Sequence, residues 1–160
     1  MHSKQHIPGK LSTSVSAVLT VFLMLSLLVL LPWIPDVVTS MLNTADNIGD
    51  RASLPQSART YVLVCAYVMY TVALVTLTLF LFLIRVVRRG HVFEKDAILY
   101  LRLLSICCFV EALLFFSIGF CFQLAIGVGL AACILGVGLC VVRDVLAEAA
   151  RIKAENEFTI

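Results

Sequence analysis

The sequence predicts an all-α protein: a bundle of four transmembrane helices with both termini in the cytoplasm. Three observations point there. The 160 residues are 61% hydrophobic and only 14% charged, with a mean hydropathy of +1.04, whereas soluble domains carry roughly 25% charged residues. The charges are segregated, leaving four apolar runs close to the roughly 20 residues a bilayer requires. The basic residues then cluster in alternate connections, as an even number of spans demands. The length suits one membrane domain over residues 1–160, with no second soluble domain.

Residues 1–13 are polar and carry Lys4 and Lys10. The first span covers about 14–34 and closes at Pro32, Trp33 and Pro35. Val38-Thr39-Ser40 resembles a cleavage site, but a signal-peptide core is about 7–15 residues and this run is longer, so the expectation is an uncleaved span. The outer loop, 35–60, is polar, yet Val37, Val38, Met41, Leu42, Ala45 and Ile48 recur at helical spacing. That spacing predicts a short amphipathic helix on the membrane surface.

The second span runs over about 61–84 and ends at Arg85, Arg88, Arg89 and Gly90. A connection over 85–98 turns helical near Glu94. The third span covers about 99–119, an uncharged Phe-Cys-Phe-Gln turn follows, and the fourth span covers about 124–142. The tail, 143–160, is charged and helical in pattern.

Orientation comes from Lys and Arg. Arg85, Arg88, Arg89 and Lys95 sit in the middle connection, with Arg102 just inside the third span; Arg143, Arg151 and Lys153 sit in the tail. The loop between spans one and two has only Arg51 and Arg59, against Asp36, Asp46 and Asp50. The middle connection and both termini are therefore expected in the cytoplasm, with Arg85, Arg88, Arg89 and Lys95 facing anionic lipid at about 1 kcal/mol each. Trp33 and Tyr61 then fall at the outer interface, where aromatic rings are favoured.

The fourth span spaces small residues four apart: Ala125, Gly129 and Cys133, and again Ala132, Gly136 and Cys140. Such rows let helix backbones approach closely in lipid. They fit packing inside the chain and also a homodimer seam through the fourth span. The six cysteines all lie in apolar runs and form no CxxC pair, so they read as small hydrophobes.

Glu111 lies halfway along the third span, within Ile-Cys-Cys-Phe-Val-Glu-Ala-Leu-Leu-Phe-Phe. An ionised side chain at mid-bilayer costs about 2.5–3.5 kcal/mol, so such groups are rare and face protein or water. Arg102 is nine positions away, about half a turn round the helix, and is a poor partner. Ser26, Tyr70, Thr71 and Thr76 match its depth. One reading is a neutral carboxyl holding helices together by hydrogen bonds; the other is a proton or cation site in a small transporter. Cys107, Cys108 and Glu111 do not make a metal site, because adjacent cysteines on a helix diverge by about 100° and no histidine joins them. No metal or other cofactor is expected.

In the tail, Val142, Val145, Leu146, Ala149 and Ile152 form an apolar stripe, with Asp144, Glu148, Arg151 and Glu155 mostly elsewhere. The fourth span is expected to continue into the cytosol as an amphipathic helix, which either folds against the basic connection or docks into a groove on a cytosolic protein. No nucleophile–base pair, phosphate loop or cofactor motif appears, so the chain is not expected to be an enzyme. No basic patch interleaved with aromatics appears either, so direct nucleic-acid binding is not expected.

Two stretches resemble a known family. Gly-His-Val-Phe-Glu-Lys-Asp-Ala-Ile-Leu-Tyr-Leu-Arg-Leu-Leu-Ser, at 90–105, is similar to the pattern that precedes the third span of the bacterial membrane family called domain of unknown function 2975. Ile-Lys-Ala-Glu-Asn-Glu-Phe-Thr-Ile, at 152–160, resembles that family's terminal Glu-Asn-Asp-Leu-Thr-Ile. The resemblance covers nearly the whole chain. Where the family has Thr-Glu-Asn after the Phe, this chain has Glu94, Lys95 and Asp96. The family has no established activity. Its genes often sit beside a small helix-turn-helix regulator, which implies a multi-pass inner-membrane protein that binds that regulator. The resemblance then points to Phe93, Glu94, Asp96, Arg102, Glu155, Asn156, Thr159 and Ile160 as partner-binding residues. A purely structural subunit, contributing only packing through its fourth span, is a third possibility.

Overall fold

The computed structural model describes residues 9–48, 55–89, 95–120 and 122–157. Lys4, Asp50, Arg51, Phe93, Glu94, Cys121, Thr159 and Ile160 lie outside them. The chain is all-α: α1 is Gly9–Leu30, a short 3-10 turn spans Leu31–Trp33, α2 is Ile34–Ile48, α3 is Gln56–Arg88, α4 is Lys95–Ile118 and α5 is Leu124–Glu157. There is no strand among the described residues. Four helical stretches are long and apolar enough to cross a membrane: Ser14–Thr44, Gln56–Arg88, Asp96–Ile118 and Leu124–Lys153.

The breaks between helices have local causes. Pro32 lacks a backbone N–H and sits at the start of the 3-10 turn, where an amide is least missed. Ile34 N–H closes the turn onto Leu31 O, and the chain resumes as α2. Pro55 opens α3 in extended backbone, its carbonyl accepting N–H bonds from Ala58 at 2.9 Å and Arg59 at 3.3 Å. At the end of α4, Gly119 N–H bonds back to Phe115 O and Phe116 O, and Phe122 N–H bonds to Ile118 O at 2.9 Å. The tight α4–α5 turn therefore leaves few backbone groups unpaired where no charged side chain is near.

The helices pack in a row. α5 lies chiefly on α4, α4 on α3, and α1 on α3, while α1 makes no substantial contact with α4 or α5. The bundle is thus an open array, with a gap on one side between α1 and α5.

α2 is helical, as its spacing suggests, and part of its apolar stripe packs on the other helices. Leu42, 3% exposed, is buried in a cluster with Val62 and Cys65 of α3, Ile118 of α4 and Ala125 of α5. Val38 packs on the same cluster, and Arg59 Nη1 donates to Asn43 Oδ1 at 3.2 Å. Part of the apolar stripe finds protein instead of lipid, so α2 caps one end of the array. Val37 and Met41 remain exposed.

Candidate functional site

A cavity of about 880 Å3 lies inside the open array, with α3 as its floor. Leu23, Leu27 and Leu30 of α1 form one wall, Ala132 and Leu135 of α5 the other, and Val37 and Val38 of α2 close the end nearest the cap. Glu111 lines it from α4, with Cys108 one turn before and Phe115 one turn after. These positions follow from helical spacing, since residues three and four apart share a face.

Among the residues matched to Glu111 by depth, Ser26, Tyr70 and Thr76 also line the cavity. Thr71 does not: it is exposed and donates to Tyr67 O at 2.9 Å. Tyr70 and Thr76 are already engaged. Tyr70 OH donates across helices to Leu27 O at 3.2 Å, and Thr76 Oγ1 donates to Val72 O at 2.8 Å. Glu111 is half-buried and makes no hydrogen bond or ion pair with any described residue. Among the described residues, no direct bond from this carboxyl ties α4 to another helix. The carboxyl faces the cavity, and no Lys, Arg or His is among the described residues lining that space.

Cys107 does not line the cavity, and no group of three metal-ligating side chains occurs among the described residues. Cys65, Cys107, Cys108, Cys133 and Cys140 are all free thiols.

Sequence reasoning missed the cross-helix role of Ser105. It is 2% exposed, donates from Oγ to Gly136 O at 2.9 Å, and lies 3.0 Å from Cys140 Sγ. Gly129 and Gly136 face α4. A Cβ on Gly129 would meet Ala112 O at 3.2 Å, and one on Gly136 would meet Cys108 Cβ at 3.3 Å. Gly127 and Gly138 face open space. The small-residue rows thus pack α5 onto α4. A serine six residues before a mid-membrane Glu gives no signal in hydropathy, so only the α4–α5 register shows its purpose.

The opposite end of the array carries most of the described basic residues. Arg85, Arg88 and Arg89 are exposed. The Arg85 guanidinium lies 6.0 Å from the centre of the Phe82 ring, and Phe82 stacks on Tyr100 of α4 at 6.0 Å and 12°. Lys95 begins α4, where Asp96 and Arg102 are both exposed. α5 runs unbroken from the span to Glu157, through Asn156, so the tail is not a separate folded-back helix. Its 34 residues reach about 50 Å, against a hydrocarbon core of about 30 Å. Arg151 Nη2 lies 2.7 Å from Glu148 Oε1 and its Nε 3.7 Å from Glu155 Oε1, both ties within α5.

A family profile described as "Protein of unknown function (DUF2975)" matches residues 15–160. The chain belongs to that family. No curated protein and no solved structure matches it. A DUF2975 chain therefore combines four potential membrane-crossing stretches, one open cavity holding a carboxyl, and a long α5 whose far end carries exposed apolar residues.

Proposed function

We propose that this DUF2975 chain is a non-enzymatic protein of the bacterial inner membrane that docks a cytosolic partner through the far end of α5. By the family resemblance, that partner is a small helix-turn-helix transcription regulator. One observation carries the proposal: Val145 and Ile152 are exposed along the part of α5 that follows the expected span of 124–142, with Val145 at 63%. Apolar residues in a row on a helix outside hydrocarbon suit insertion into a partner's groove. The basic cluster Arg85, Arg88, Arg89 and Lys95 at the same end supports a cytoplasmic position for that end by the positive-inside rule. Asp96, Arg102 and Glu155 are exposed there and belong to the same docking surface.

The test is cross-linked co-purification from native membranes, comparing the full chain with one lacking residues 152–160. The shortened chain should insert normally and lose a stoichiometric regulator that the full chain retains. Equal recovery with both chains, or no partner with either, would remove the docking function.

A second reading, a small transporter coupled through Glu111, is favoured by the cavity and by the absence of any described partner for that carboxyl. It requires that Glu111→Gln stop uptake or efflux in vesicles while the helices stay intact.

A further inference from the structure

We infer that the Glu111 cavity is a binding site for a lipophilic organic cation, which enters sideways from the bilayer between α1 and α5. The size is right, because pockets for organic ligands measure about 300–1,000 Å3 and this one about 880 Å3. The charge is also right. Glu111 is the single ionisable carboxylate on the described lining and no cationic side chain neutralises it there. In a low-dielectric space an unpaired carboxylate attracts a positive charge more strongly than it does in water.

The rest of the lining decides what kind of cation. Leucines, alanines, Met69 and Phe115 give it an apolar surface. A small inorganic ion must replace its hydration shell with several oxygen ligands. The described lining offers the Glu111 carboxylate and the hydroxyls of Ser26, Tyr70 and Thr76, fewer oxygens than the roughly six to eight that a calcium ion takes. An organic cation carries its own apolar body into such a site. Phe115 and Tyr70, both on the lining, are aromatic side chains of the kind that attract organic cations.

The entrance follows from the packing order. α1 rests on α3 and not on α4 or α5, so the side of the array between α1 and α5 is unsealed. Leu135, on the α5 wall, is 65% exposed. A ligand that partitions into the membrane reaches Glu111 through that side without crossing the polar ends.

The inference shares its cavity with the transport reading but concerns occupancy, not flux. The test uses the full chain, purified and placed in lipid nanodiscs. Tetraphenylphosphonium is titrated against it, with tetraphenylborate as an anion of the same shape. The cation should bind saturably, one per chain, and at least tenfold more tightly than the borate. Glu111→Gln, which keeps the side chain's size, should weaken cation binding at least tenfold with an unchanged helical circular dichroism spectrum. Ala73→Phe fills the floor, leaves the carboxylate in place, and should also weaken binding. Equal affinity for the two ions, or undiminished binding in Glu111→Gln, overturns the inference. Saturable, Glu111-dependent binding without vesicle uptake upholds it and removes the transport reading alone.

Discussion

The α4–α5 pair and the α1–α3 pair solve the same problem with unequal means. α5 brings Gly129, Gly136 and Cys140 to its α4 face, so the backbones come close enough for Ser105 to bond Gly136 O directly. α1 is richer in bulky side chains. Its small residues Ser16, Ala17 and Thr20 come early, and Thr20 is 3% exposed; beyond them Leu23, Leu27 and Leu30, with Ser26 among them, stand as a cavity wall. One cross-helix bond, from Tyr70 to Leu27 O, ties that later part of α1 to α3. The lesson is that apolar content does not hold helices together in lipid, because lipid is equally apolar. Close packing and interhelical hydrogen bonds do. Both pairs line the cavity, the looser one through the leucines of α1 and the floor of α3.

Substitutions at the tight pair should have the largest effects. Gly136→Leu places a side chain where a Cβ alone is already 3.3 Å from Cys108 and Phe109. A loss of about 1–3 kcal/mol or more is expected from overpacking, read as a lower melting temperature in detergent. Gly138→Leu meets open space and should change the melt by no more than about 0.5 kcal/mol. Similar losses from both would mean that α4–α5 closeness is not what stabilises the bundle.

Ser105→Ala comes next. It removes the bond to Gly136 O and leaves a small apolar residue in its place. Interhelical bonds of this kind contribute about 0.6 kcal/mol on average and up to about 1.7, so a destabilisation in that range should appear in an unfolding titration. The buried setting of Ser105 puts it toward the upper part.

Tyr70→Phe should cost least, near the average of about 0.6 kcal/mol, because its bond is longer at 3.2 Å and only part-buried. Its signature should be local. Hydrogen exchange should speed up in α1 around Leu27 and stay unchanged in α5. Faster exchange in both helices would merge the two regions into one cooperative unit and erase the contrast.

Much of the architecture is legible in the order of the amino acids. Helix number follows from the lengths of the apolar runs, because every backbone polar group in hydrocarbon must be satisfied within its own helix. The breaks at Pro32, Pro55 and the Gly119 turn are equally local. The oddity of Glu111 is visible as one carboxylate in an apolar stretch. The partner for α2 was less accessible. Its spacing marks an apolar face, but a face does not state whether lipid or Val62, Cys65 and Ile118 will cover it.

The sequence by itself therefore determined the all-α class, the four potential membrane-crossing helices and the presence of a carboxyl among them. The tertiary structure alone decided which glycines face α4, that Ser105 bonds Gly136, and that Glu111 opens into a cavity between α1 and α5. The reason is physical. Hydropathy reports transfer from water and is nearly the same on every side of these helices, so the choice of neighbour rests on shape and hydrogen bonds that only the packed helices display.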